Sequence, residues 1–296
     1  MLLKPGHTCD EAIRLLEDIE SLGLNDVRNQ IPHLTPLYQG RGNVYPDRLQ
    51  PGLLDPVLRK YDEWTASAAD QLHAVFSDHS VAEPLRGGRY GYIIGGDPAA
   101  GRTVQLLNAE VSELSSYLRQ LANRLREMKE HYKRYQGLSL ILDTNDLLHG
   151  ENFTKIPWRT LYGKQSVVVL PHVVIDELDK KSYAQSDSVR RRARGVFLRL
   201  EGLLDALDES GSATLDDGTP FQVLADIPGH VRQPNCDDEV VARACELQQA
   251  VTPDNVLVIT LDNGMRVRAK AWSLRARKLD EKYRISDPKT ESVASS

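Results

Sequence analysis

The chain has 296 residues, 41% of them hydrophobic, which suffices to bury a substantial core and to form one large or two ordinary domains. No apolar run approaches the length of a membrane span, and the opening "MLLKPGHTCDEAIRLL" turns charged too soon for a secretory signal, so a cytoplasmic protein with no membrane partner is expected. Three scattered cysteines, Cys9, Cys236 and Cys245, fit neither a disulfide framework nor a CxxC metal site, and the net charge of −5 conceals charges strongly sorted along the chain.

Residues 1–136 read as a helical region. The pattern begins at "DEAIRLLEDI" and continues through Leu54, Val57, Leu58, Tyr61, Ala68, Leu72 and Val75, with polar loop material around Gly40 to Gly52. "RYGYIIGGDPAAGRT" then places Gly96 and Gly101 at GxxxxG spacing after a short strand-like run, in the manner of a P-loop. That motif needs a lysine where this chain has Arg102, and Pro98 removes a backbone donor. A glycine-rich turn opening the next helix is therefore expected at 96–103, without a nucleotide. From Leu107 through Val111, Leu114, Leu118, Leu121, Leu125, Met128, Tyr132 and Tyr135, apolar residues recur at alternating steps of four and three. Two arrangements satisfy this heptad seam: a coiled coil over 104–135 that pairs two copies as a homodimer, or a helix packed inside its own chain.

Beyond Gly137, strand-like and helix-like stretches alternate. "LSLIL" covers Leu138 to Leu142, "SVVVLP" covers Ser166 to Pro171, "SATLDDGTPFQVL" is a turn-rich pair with Asp-Gly at its tip, and "NVLVITLD" covers Asn255 to Asp262. The clearest helical face between them is Val189, Ala193, Val196, Phe197, Leu200, Leu203, Leu204 and Leu207. Short continuous apolar strands alternating with helices predict an α/β fold over 137–288, a doubly wound and mostly parallel sheet preceded by an all-helical N-terminal region. Residues 289–296 read as a disordered tail.

In such a sheet, residues just beyond the carboxyl ends of adjacent central strands meet at one crevice. Asp143 follows "LSLIL" and Asp262 follows "VLVITL" in that way. Glu177, in "PHVVIDELDKK", shares a helix side with Val173 and Val174, and Asp238, in "NCDDEVVARA", falls in the first turn of a helix. Each acid alone has a plain structural explanation, as a cap or an ion-pair partner. Converging as a set, they repel one another and need a counter-charge, and oxygen donors without histidine or cysteine favour Mg2+ or Mn2+. A divalent ion so held can activate water and neutralise a phosphoryl oxygen. The eight histidines show no ligand spacing.

"LILDTN" at 140–145, "VVIDELD" at 173–179, "NCDDEVVARA" at 235–244 and "VLVITLDNGMRVRAKA" at 256–271 together resemble, in order, the four motifs of a PIN domain nuclease. The last is most similar to the larger PIN domains of RNA-processing proteins. The resemblance covers about residues 137–287 and implies Asp143, Glu177, Asp238 and Asp262 around one or two divalent ions, with Thr144 and Asn145 orienting the first aspartate or a bound water. In the third motif Asp237 and Asp238 are neighbours, and either could be the ligand. The family's pattern of an acid, one residue and two apolar residues implies Asp238.

Basic residues flank these motifs: Lys180, Lys181, Arg190, Arg191, Arg192 and Arg194 after the second, and Arg266, Arg268, Lys270, Arg275, Arg277 and Lys278 after the fourth. An acidic pocket with basic flanks suits a phosphate backbone, and solvated helix faces would look the same. The reading is a metal-dependent endoribonuclease acting on single-stranded RNA, the preference for RNA coming from the resemblance. The alternatives are an inactive PIN fold that binds RNA or protein, a nucleotide-driven switch, and a small toxin, which the long N-terminal half disfavours.

Overall fold

A computed structural model describes residues 3–31, 37–39, 43–45, 52–97, 100–227, 229–251 and 253–285. The chain divides into two compact units, residues 1–130 and 131–296. The expected disordered tail at 289–296 lies outside the described residues.

In the first unit, helix α1 (Cys9–Asp18) starts at a capping box in which Thr8 and Glu11 satisfy each other's backbone N–H groups. It runs through a π-helical turn, Ile19–Leu24, into α2 (Asn25–Gln30). The wider turn exposes the Ile19 carbonyl, which accepts from Trp64 Nε1 at 3.2 Å. Strands β1 (Leu37–Gln39) and β2 (Asn43–Tyr45) pair antiparallel, so this region is not purely helical: a short ribbon sits where sequence shows polar loop. Residues 40–42 and 46–51 of that loop lie outside the described ones. Helix α3 (Asp55–Val75) follows, then a 3-10 turn (His79–Arg86), α4 (Tyr90–Ile94) and α5 (Gly101–Tyr132).

Two expectations for this unit are revised. The run before the P-loop-like glycines is helix α4 instead of a strand, and Thr103 spends its hydroxyl on the Asp97 carbonyl at 2.9 Å. Among the described residues a helix stands where a phosphate cradle has its strand, while Pro98 itself lies outside them. The heptad seam of α5 is spent within one chain. Leu107, Leu118 and Leu125 are fully buried, and α5 is tied to the start of the unit by Ser115 and Arg119 on Glu20 and by ion pairs from Arg126 to Glu17 and Lys129 to Asp10. Of the two arrangements that satisfy the seam, burial of its leucines within one chain is the one seen in this structure.

The second unit carries a six-stranded sheet. Its strands are β3 (Leu138–Leu142), β4 (Ser166–Pro171), β5 (Ser212–Thr214), β6 (Pro220–Leu224), β7 (Val256–Ile259) and β8 (Arg275–Arg277), in the order β5-β6-β4-β3-β7-β8. All neighbours are parallel except β5 and β6, which form the hairpin whose Asp-Gly tip holds Gly218 at φ 81°. Helices α6 (Thr144–His149), α7 (Trp158–Tyr162), α8 (His172–Ser182), α9 (Asp187–Asp205), α10 (Cys236–Ala250) and α11 (Asn263–Ala271) make the connections. The central strands are apolar and buried because helices cover both faces, as a doubly wound sheet requires. β8 escapes a sequence reading: "RAR" is too short and charged to look like a strand, yet edge strands carry such charges.

The chain builds outward from β3 through β4 to β6, then crosses back to lay β7 on the other side of β3. The winding reverses there, and the carboxyl ends of β3 and β7 open into one crevice. Among the described residues no helix is long and apolar enough to cross a membrane.

Because the α5 seam is intrachain, Leu118→Ala should lower unfolding free energy by about 2–5 kcal/mol. Leu118→Asp with Leu125→Asp should unfold the first unit. Denaturant melts with sedimentation velocity check this: a wild-type dimer converted by the double variant into a folded monomer would restore the intermolecular seam.

Candidate active site

The register of the two central strands sets the geometry. Leu142 of β3 lies opposite Ile259 of β7, so the next residues, Asp143 and Thr260, meet across the end of the sheet. Thr260 donates its hydroxyl hydrogen to Asp143 Oδ2, and the same hydroxyl oxygen accepts from the Asp262 backbone N–H at 3.0 Å. One fully buried threonine thus ties both strand-end aspartates together. Asp143 is 2% exposed, and its Oδ1 caps α6 by accepting from the Asp146 N–H at 2.8 Å. Asp262 caps α11 through the N–H groups of Gly264 and Met265. Strand "NVLVITLD" ends earlier than its sequence pattern, at Ile259, and the three-residue exit lets Asp262 turn back onto the helix start. Both acids are therefore N-caps, but capping occupies only one oxygen of each.

Glu177 reaches the crevice from α8. Thr144, 4% exposed, donates to Glu177 Oε2, and Lys181 lies 3.2 Å from Oε1. Asp237 and Asp238 arrive in the first turn of α10, which Asn235 caps. Arg268 of α11 holds both, its Nη1 3.0 Å from Asp237 Oδ2 and its Nε 3.1 Å from Asp238 Oδ1. Asn145 is half-buried in the first turn of α6.

The electrostatics follow from burial and like charge. Desolvation raises the Asp143 pKa, opposed by its hydrogen bonds from Thr260 and Asp146. Asp146, 4% exposed, is pushed well above the ordinary carboxylate range by burial and then by the charge of Asp143. Asp237 is also raised, first by desolvation and further by Asp262 and Glu177, while Arg268 pulls it back. These couplings join Asp237 to the acids from β7 and α8. Asp238 is half exposed.

Three participants escape a sequence reading. Thr260 is signalled only by being polar inside an apolar run, and Asp146 only by standing three residues after Asp143. Arg268 reads as a basic flank, whereas folding makes it a counter-ion of the acidic pair. The other basic candidates divide similarly. Arg190 is tied to Asp187 and the Ala184 carbonyl, Arg191 donates to the Asp187 carbonyl, and Arg192 meets His149. Lys180 is exposed. Arg191 and Arg192 line a cleft of about 200 Å³ with Arg199, and Arg266 and Lys270 line another of about 510 Å³.

Residues 140–280, all within the second unit, match the family model of the PIN domain. This match spans the stretch that carries the four motifs and the crevice acids. Comparison with curated proteins found no match. PIN domains have a nuclease-type fold and generally use divalent metal ions. The donor set here fits such an ion: the crevice acids offer hard oxygens, and the only cations described against Glu177, Asp237 and Asp238 are the side chains of Lys181 and Arg268.

A stability signature follows from Asp146. Its folded pKa lies above the unfolded value of 3.8, so the native state holds the proton more tightly. That contribution is present at low pH and is lost as pH rises past 3.8 toward the folded value. In chelator, Asp146→Asn should be more stable than wild type at pH 7, with the advantage shrinking toward pH 4. Denaturant melts across this range check it, and an Asn variant that is less stable at pH 7 would contradict the assigned cost of burying this charge beside Asp143.

Proposed function

We propose that this PIN domain is a divalent-metal-dependent ribonuclease that hydrolyses single-stranded RNA internally, with Asp143, Glu177, Asp237 and Asp262 as the metal-holding acids. The observation that carries this reading is the threonine bridge, which holds two carboxylate-bearing turns at the end of adjacent parallel strands. A merely structural cap needs no such link. Asp237 is preferred over Asp238 because its carboxyl feels Asp262 and Glu177 and is the less exposed of the two. Asp238 is then an outer acid sharing Arg268.

A bound Mg2+ or Mn2+ would supply an activated water and charge stabilisation at the scissile phosphate. The protein's own part is positioning. Thr260 fixes Asp143 relative to Asp262, Thr144 fixes Glu177, and Asn145 is near enough in sequence to orient a water. Burial of Asp143 keeps competing solvent from its carboxylate. Lys180, Lys181, Arg190, Arg191, Arg192 and Arg266 supply the positive surface for the RNA backbone. Arg191, Arg192 and Arg266 are placed in open clefts, while Lys181 and Arg268 also balance the acids.

One observation favours the second reading, an inactive PIN fold that binds RNA or protein: Arg268 grips Asp237 and Asp238, so the acids have a resident protein cation. Metal dependence separates the two. Asp143→Asn and Asp262→Asn should each cut cleavage of labelled RNA by roughly a hundredfold or more while leaving the fold intact. Thr260→Val should cost about 10–100-fold, as loss of an orienting partner does. Cleavage of RNA at wild-type rates by Asp143→Asn would refute the site, and no cleavage by wild type with either metal would favour the binding module.

Replacing Arg191, Arg192 and Arg266 by alanine should weaken RNA binding evenly across sequences and flatten the slope of log K against log salt by about one for each phosphate that these side chains neutralise. Fluorescence anisotropy titrations at several salt concentrations measure this. An unchanged slope assigns these arginines to the solvated surface.

A further inference from the structure

A second group of side chains of metal-ligating type involves none of the crevice acids. Asp226 lies two residues past β6, His230 lies in the connection that follows, and Glu239 is in the first turn of α10. One ligand atom from each falls within 4.8 Å of the others. The three come from a strand exit, a connecting segment and a helix start, so only the folded chain assembles them.

The contacts leave this group short of a cation. The Glu239 side chain is 1% exposed, and its partners are His230 Nε2 at 2.6 Å from Oε1 and the Gln233 N–H at 2.7 Å from Oε2. Asp226 gives Oδ2 to Arg232, with His172 Nδ1 3.4 Å away. Its other oxygen, Oδ1, is buried with no hydrogen-bond partner. Leaving a buried carboxylate oxygen unpaired is costly. Arg232 does not neutralise the group by itself, because it also pairs with Asp176. Asp176, Asp226 and Glu239 thus share one arginine, and the two carboxylates beyond its charge match one divalent cation.

We propose that Asp226, His230 and Glu239 form a second metal site, selective for a divalent transition metal of the zinc class. An imidazole among carboxylates favours zinc, cobalt or nickel over magnesium, in contrast to the acidic crevice. Zinc bonds of about 2.0–2.2 Å place tetrahedral ligands a little over 3 Å apart, so His230 and Glu239 need to separate by less than about an ångström. The fourth position falls to water or to His172. Residues 225–235, among those described, contain no helix or strand, yet they lead directly into Asp237. A metal joining Asp226, His230 and Glu239 would staple this connection and fix where α10 begins.

The test is metal binding, which does not depend on the nuclease reading. Chelator-stripped full-length protein is titrated with Co2+, following the visible ligand-field absorption of tetrahedral nitrogen and oxygen coordination, and with Zn2+ in competition. Wild type should bind one equivalent with this absorption, and the Asp143→Asn, Asp262→Asn double variant should bind it equally well. His230→Ala should weaken binding more than tenfold. His230 also pairs with Glu239, so Asp226→Asn serves as a second variant, with folding confirmed by circular dichroism, and should weaken binding likewise. The proposal is overturned if wild type shows no such absorption, if His230→Ala and Asp226→Asn leave it unchanged, or if the crevice double variant abolishes it.

Discussion

Everything at the candidate active site depends on the hydrogen bond between Thr260 and Asp143. It exists because β3 and β7 run parallel in a register that sets Leu142 against Ile259, placing the next residue of each strand in contact. An aspartate at a strand end is ordinarily free to turn toward solvent. Here a buried hydroxyl holds one oxygen and the α6 backbone holds the other, so the carboxylate stays in place although burial disfavours its charge. The same hydroxyl positions the Asp262 backbone, so the orientation of two acids rests on one side chain.

The remaining acids are gathered at an electrostatic cost that the protein offsets locally. Lys181 neutralises Glu177 from one turn further along the same helix, and Arg268 spans the acidic pair at the start of α10. These cations offset the repulsion among acids that four elements, β3, β7, α8 and α10, bring to one crevice. Asp146 shows what happens where a cation offsets burial only in part: burial and the neighbouring Asp143 shift it toward the neutral acid against the pull of Arg284.

The long helix α5 shows why a period does not name its partner. A heptad seam states that one stripe of a helix must be covered, and here the stripe is buried within one chain. The polar contacts on its flank, from Glu20, Glu17 and Asp10, join residues about a hundred positions apart. Tyr132 and Tyr135, at the end of the pattern, belong to the second unit, where the Tyr132 hydroxyl donates to Glu246 and the Tyr135 hydroxyl to the Val223 carbonyl.

The sequence by itself determined the α/β class, the parallel strands and the presence of acids at their ends, because burial on both faces demands unbroken apolar runs and a polar residue then marks each exit. It also determined the PIN resemblance, since four spaced motifs are a local property of the chain. Tertiary structure alone decided the rest. The short charged strand β8 and the β1–β2 ribbon carry no periodicity long enough to read. Thr260 as a bridge, Arg268 as a counter-ion of the acidic pair, and Asp237 as the acid coupled to the others all depend on strand register and helix placement. The union of Asp226, His230 and Glu239 depends on the path between β6 and α10. A sequence pattern reports whether a side chain is buried, and partners far along the chain are fixed only when the sheet closes.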